Sequence, residues 1–278
     1  MMIMYNATTA TAIEQQSLKM DLNIVKPSLL VAYREAHDPD FGEIVQNPPQ
    51  KYISLDYVGL YSCVSAVYSA RVEGEKVSFG TYFKHKFLNE KLAPHITRKI
   101  DDLYRAYHFA FKHELNMPNL LRAHGLLTHF FLPRMHQGKV RTEPIFIINE
   151  QNKIEYVAAA PGIVSKELDK LLSDIEILLA MPLDDVEVFY YAAYIHLVFV
   201  KMHPFQDGNG RTARLLEKWF LKEKLGEKVI SFPIERNYYD NAGLYLDNIR
   251  KIGSDYQHLD YTKALDFLLM SINGLRRD

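Results

Sequence analysis

The chain has 278 residues, 48% hydrophobic and 24% charged, the proportions of a soluble globular protein with material for a sizeable core. Lys and Arg total 33 against 34 Asp and Glu, a formal charge of −1, which argues against a dedicated nucleic-acid binder because phosphate contacts demand a basic excess. The single cysteine, Cys63, excludes a disulfide framework and any all-cysteine metal site and fits a cytoplasmic location.

Residues 1–20 are polar and rich in Ala and Thr, and they read as a tail without the basic-then-apolar order of a signal peptide. Residues 21–117 read as an N-terminal helical region. Within it, Tyr57, Tyr61, Val64, Tyr68 and Val72 recur at three- and four-residue steps, which predicts a helix over 56–73. Gly74 stands where a C-cap glycine belongs. A charged helical stretch is expected over 82–114, leading to Pro118, and an amphipathic helix from Leu120 to about His136. Two apolar runs, Ile145–Ile148 and Ile154–Ala158, flank a polar turn and predict a β-hairpin. Helical spacing resumes after Pro161 through Leu179. The most apolar helix follows over 184–200, and its 13-residue run from Val188 to Val200 is short of the roughly 20 residues a membrane span needs. Helices over 212–224 and 241–252 and a C-terminal helix within 257–278, from Tyr261 to Leu275, complete a mainly α chain with one small hairpin.

The chemistry concentrates in His203-Pro-Phe-Gln-Asp-Gly-Asn-Gly-Arg-Thr-Ala-Arg214. Pro204 ends one helix, and Gly208, Asn209 and Gly210 allow the backbone to turn its amides inward. A helix then opens at Arg211. A glycine-rich loop at a helix N-terminus is an anion site. Arg211 and Arg214 share roughly one helical face, and guanidinium forks suit phosphate oxygens. Asp207 offers a hard oxygen for Mg²⁺ held jointly with nucleotide phosphates. His203 is placed to take a proton from an incoming hydroxyl. Anion cradle, metal carboxylate, paired arginines and base together suit phosphoryl or nucleotidyl transfer. His196, inside the apolar helix, reads as a buried, hydrogen-bonded structural residue.

This segment resembles the signature of the Fic (Fido) family, H-x-F-x-D/E-G-N-G-R-x-x-R, at every specified position. A chance match in a chain of this length has odds on the order of 10⁻⁸. The resemblance covers roughly residues 118–256 as a Fic catalytic core, with the preceding helices as an N-terminal extension. Gly138-Lys-Val-Arg141 and the hairpin at about 145–158 look like the family's flap, and Tyr238-Tyr239 look like its adenine-side segment.

The resemblance implies a Fic-type helical fold and a protein adenylyltransferase, which moves AMP from ATP to a Ser, Thr or Tyr hydroxyl of a target protein. It makes His203 the general base, Phe205 a core anchor and Asp207 the Mg²⁺ ligand. Gly208, Asn209, Gly210, Arg211, Thr212, Ala213 and Arg214 become the ATP-phosphate segment, with Arg214 on the γ-phosphate, and Tyr239 is carried over to the nucleotide. Gly210 favours adenylylation, because a phosphorylating branch of the family carries Lys there. The flap edge is the expected docking site for the target, by strand addition. The implied partners are ATP and that target, with no nucleic acid and no membrane, and a homodimer stays open.

Ser69-Ala-Arg-Val-Glu73-Gly74 resembles the family's inhibitory motif S/T-x-x-x-E-G/N, placed N-terminal to the core as in its second class. Ser69 and Glu73 share a helix face, and a carboxylate presented to Arg214 would occupy the group meant for the γ-phosphate. The alternative is an exposed helix-end glutamate. Three readings of function follow: an adenylyltransferase auto-inhibited by Glu73; a deadenylylase or a transferase of another phosphate-linked group; and a non-enzymatic nucleotide-sensing module, against which an intact His203 argues.

Overall fold

The computed structural model describes residues 21–37, 40–46, 56–149 and 151–275; the expected polar tail at 1–20 and the last residues of the expected C-terminal helix lie outside them. Two short helices come first, α1 (Leu30–Ala36) and α2 (Phe41–Gln46), too short to show a helical period in the sequence. The expected 56–73 helix is α3 (Tyr57–Val72). It closes through Gly74, at φ +91°, with the amides of Gly74 and Glu75 returning to the carbonyls of Arg71 and Ala70, a Schellman arrangement.

The stretch expected as one helix over 82–114 is two, α4 (Phe79–Phe87) and α5 (Pro94–Ala110). Pro94 has no N–H to continue a helix, yet its fixed φ suits the first turn of a new one. α6 (Met117–Leu127) begins on an Asn116 side-chain cap and stops well short of His136. The Thr128 hydroxyl folds back onto the His124 carbonyl at 2.7 Å, and Pro133 bars a helix from the segment beyond.

The hairpin forms as expected, β1 (Phe146–Ile148) antiparallel to β2 (Ile154–Val157), with Ile147 opposite Tyr156. Tyr156 is buried, whereas Phe146, Ile147, Ile148 and Ile154 are exposed. The remaining helices are α7 (Pro161–Ala180), α8 (Asp185–Met202), α9 (Asn209–Leu225), α10 (Ile234–Asp240), α11 (Ala242–Lys251) and α12 (Leu265–Asn273). Short α10 is absent from the sequence expectation, and the segment expected as helical from Tyr261 opens with a 3₁₀ turn, Tyr261–Lys263.

α8 is the organising element. A capping box starts it, with Asp184 accepting from the Glu187 amide at 2.9 Å and Glu187 accepting from the Asp184 amide at 3.0 Å. Every residue from Glu187 to Met202 is buried, so this helix has neighbours on all sides. α9 packs along it, with α1, α7 and α12 around it, while α3, α5 and α6 form a second group that α9 also touches. One cluster of buried side chains runs from Leu22 to Leu275, so the N-terminal region shares its core with the 118–256 segment. Asp174 on α7 fastens that region by accepting from the amides of Asn23, Ile24 and Val25 at 2.6–2.9 Å. Among the described residues no helix is long and apolar enough to cross a membrane.

Candidate active site

α8 ends and α9 begins on either side of a short loop, and each residue of that loop is held from behind. His203 caps α8 in the left-handed region, at φ +51°, a conformation that persists in a non-glycine residue only when its surroundings impose it. Arg141 imposes it. Its buried guanidinium donates to the carbonyls of His203 (2.6 Å), Glu143 (2.7 Å), Met202 (3.4 Å) and Ala159, and its amide donates to Pro204 O at 3.0 Å. A cation among the last carbonyls of α8 also suits the negative end of that helix. The foot of the hairpin is thereby clamped to the loop.

The His203 ring donates through Nδ1–H to the carbonyl of Val200, which leaves Nε2 with its lone pair. Burial, reinforced by the nearby charges of Arg141 and Lys201, pushes its pKa down to about 4. The imidazole is therefore neutral near pH 7, the state a general base needs.

Phe205 is fully buried and stacks on His124, 3.7 Å between centroids and 15° between planes. His124 pins the loop. The Gly138 amide donates to its Nδ1 at 2.9 Å, so the ring proton sits on Nε2 and is donated to the carbonyl of Asp207 at 3.0 Å. Burial drives its pKa to about 4, which keeps this tautomer neutral. Asn209 braces the same turn, its amide group accepting from Phe205 N at 2.9 Å and donating to Phe205 O at 2.8 Å. Gly208 adopts φ +79°, and a Cβ there would fall 2.9 Å from the Thr128 methyl.

With Gly208 as N-cap, the amides of Asn209, Gly210 and Arg211 have no carbonyl four residues earlier inside α9. Such unpaired amides at a helix N-terminus are suited to an anion. The Thr212 hydroxyl is committed to Gly208 O at 2.8 Å and Ala213 is fully buried, so neither side chain faces the cavity. Arg211 lies over the Phe131 ring at 4.0 Å and reaches Asp207 Oδ1 at 3.4 Å, while its buried Nε has no hydrogen-bond partner. An anion at the cradle would supply one. The Asp207 carboxylate is 57% exposed and accepts from the Gly208 amide at 2.5 Å. Its hard, exposed carboxylate oxygen is the kind of donor a cation shared with phosphate oxygens takes; among the described residues no three His, Cys, Asp or Glu side chains converge.

Arg214 is 1% exposed, and every branch of its guanidinium is engaged. Nε donates to Ser69 Oγ at 2.9 Å, Nη2 to Ser69 O at 3.1 Å and to Glu73 Oε1 at 2.6 Å, and Nη1 to the Tyr245 hydroxyl at 3.3 Å. The Schellman turn at the end of α3 thus delivers Glu73 to Arg214. Burial acts to raise the Glu73 carboxyl pKa, but the charges of Arg214 and Arg211 outweigh it and hold it below the usual carboxylate range. Gly210 permits this approach, since a Cβ there would lie 2.8 Å from Glu73 Oε1.

These groups meet at a cavity of about 510 Å³ whose wall includes Glu73, His203, Asp207, Gly208, Asn209, Gly210 and Arg214. Its lining also includes Ile145, Ile147 and Tyr156 from the hairpin and Tyr245, Leu246 and Ile249 from α11. Lys201 lines it too; it donates to Gly253 O at 2.7 Å and lies over the Tyr156 ring at 4.0 Å. Tyr239 is not on the wall. Its ring lies under Arg71 at 4.0 Å and its hydroxyl accepts from Arg71 Nη2 at 2.5 Å, so it fastens α3 to α10. His124 and Tyr245 were not marked by the sequence, because neither stands near the motif and only the fold brings them to it.

Residues 114–221 match the model of the Fic/DOC family. The matched stretch takes in the whole 203–214 segment. A Fic family protein from Desulfovibrio desulfuricans G20 superposes with a TM-score of 0.70 at 17% identity, over 92% of this chain and 75% of that one, which establishes the Fic fold. Protein adenylyltransferase fic-1 of Caenorhabditis briggsae is 28% identical over 137 residues, and its Caenorhabditis elegans namesake 26% over 136. The matched stretch is about half of this chain and a quarter of either relative.

Proposed function

We propose that this chain transfers AMP from ATP to a hydroxyl of a target protein and that Glu73 restrains the transfer by occupying Arg214. The observation that carries this reading is the convergence on one cavity of a neutral His203, with its Nε2 lone pair free, and an anion cradle at the start of α9. His203 would take the proton of the incoming Ser, Thr or Tyr hydroxyl. That oxygen would bond to the α-phosphorus as the bond to the β-phosphate bridging oxygen breaks, releasing pyrophosphate. The amides of Asn209, Gly210 and Arg211 hold the phosphates, and Arg214, once free of Glu73, holds the outer ones. Asp207 would hold a Mg²⁺, which supplies neutralising charge at the phosphates. The exposed apolar edge of β1 suits strand addition by the target backbone, beside the loop that Arg141 clamps.

The presence of Glu73 and His203 on one wall also favours a second reading, hydrolytic removal of AMP from a modified target. A label experiment separates the readings. In the Glu73→Gly protein, ATP labelled at the α-phosphate should transfer label to protein and ATP labelled at the γ-phosphate should not; adding His203→Ala should abolish the transfer. Label from the γ-position would mean phosphorylation, and no label with nucleotide bound would favour AMP removal.

A further inference from the structure

From Arg214, through a different nitrogen from the one that meets Glu73, a chain of buried polar groups runs into the core. Arg214 Nη1 contacts the Tyr245 hydroxyl at 3.3 Å, that hydroxyl contacts His196 Nε2 at 3.0 Å, and His196 Nδ1 contacts Glu217 Oε2 at 2.6 Å. The hydroxyls of Tyr238, at 2.9 Å, and Ser271 complete the surroundings of the Glu217 carboxylate. His196 and Glu217 are wholly buried and Tyr245 is 2% exposed.

Donor inventory settles the direction of this chain. Arginine has only donors, so the Tyr245 oxygen accepts. Its one proton is then available to His196 Nε2, and the tautomer that accepts it carries its own proton on Nδ1, donated to Glu217. Glu217 only accepts, as an ionised carboxylate does. A buried carboxylate needs a balancing cation, and Arg214 supplies it across two neutral relays. The pairing between Glu217 and Arg214 makes no use of Glu73.

We propose that Glu217, His196 and Tyr245 are positioning residues for Arg214, a buried support that fixes the guanidinium toward outer phosphate oxygens when Glu73 withdraws. Without them the cation freed by Glu73 would be unbalanced on one face and at liberty to turn. With them the clamp keeps its direction and only its front partner changes, from carboxylate to phosphate. The support acts on groups beyond the α-phosphate and leaves His203 and the cradle amides alone. This inference rests on the reading of Arg214 as an outer-phosphate clamp.

The test compares the Glu73→Gly protein with Glu73→Gly/His196→Gln and Glu73→Gly/Glu217→Gln, both changed off the cavity wall. The KM for ATP should rise about tenfold, the scale of one lost hydrogen bond to a charged group, while kcat stays within about twofold. By calorimetry ATP affinity should fall by the same factor and AMP affinity, which owes nothing to outer phosphates, should hold. ATP and AMP weakening together in both variants, or no change in ATP affinity in either, would overturn the proposal. If the Glu73→Gly parent transfers no AMP, the functional reading has failed, yet the ATP-to-AMP binding ratio still decides the support. A parent that binds neither nucleotide would overturn the clamp and its support alike.

Discussion

His203 owes its readiness to two backbone decisions. Its left-handed φ turns the ring into the cavity, and the Val200 carbonyl takes the Nδ1 proton. With a pKa of about 4 in the folded protein, the ring is already deprotonated through the neutral range. In the Glu73→Gly protein, kcat/KM should therefore show no loss from His203 protonation between about pH 8 and pH 5.5, and an acid limb should appear only below that. A plot bending near the ordinary histidine value of about 6.5 would mean that the ring is not held as described. His124 shows the complementary use of imidazole. It transmits position, joining the Gly138 amide to the Asp207 carbonyl while Phe205 lies flat against it.

At the scale of elements, α3 works as a strut whose end bears on the site. Its docking runs along its length. Lys218, in an ion pair with Glu235 at 2.8 Å, also donates to Ser65 at 3.1 Å; Ser69 receives Arg214; Arg71 lies on Tyr239; and Glu75, just past the cap, pairs with Lys99 at 2.7 Å. Glu73 is thus one contact of a helix held at several points. Removing a contact away from the cavity should loosen the brake without touching the chemistry. Arg71→Ala forfeits a cation–π contact and a hydrogen bond, so basal transfer should rise about three- to tenfold, less than with Glu73→Gly. An unchanged basal rate in a label-transfer assay would show that the far end of α3 does not set its grip. The hairpin is the opposite kind of element, anchored through the Arg141 guanidinium yet exposed along β1, which leaves an edge free for another strand.

Over the whole molecule, the buried neutral histidines tie stability to pH. His124 and His203 each have a folded pKa near 4, and burial also lowers that of His196. The unfolded chain, with histidines near 6.5, takes up protons first as pH falls, so stability is full above that value and is lost progressively down to the folded pKa. Each of His124 and His203 should cost about 2 kcal/mol by pH 5, and denaturant unfolding at pH 7 and pH 5 checks it. Equal stabilities would contradict the buried, neutral state. Much of this fold was legible in the sequence, because long helices such as α7 and α8 repeat their apolar period and the hairpin announces its turn. Pro94 and Pro133 carried the missed helix boundaries in plain view. α1, α2 and α10 left no period to find. At the site, the 203–214 motif was legible because its chemistry is contiguous. His124 meets Asp207 across 83 positions and Tyr245 meets His196 across 49, separations that only packing closes. Tyr239 shows the converse, a residue near the motif in sequence that the fold turns toward α3.

On the proposed function, Glu73 holds the arginine that phosphate would otherwise take. The most direct measurement is the rate of label transfer from α-phosphate-labelled ATP in the native protein and in Glu73→Gly, at equal concentration and with Mg²⁺ present. Losing a charge-assisted pair of this kind should raise transfer by about ten- to a hundredfold. Equal rates in the two proteins would contradict the account, leaving the 2.6 Å contact between Glu73 and Arg214 as a structural pair with no part in control.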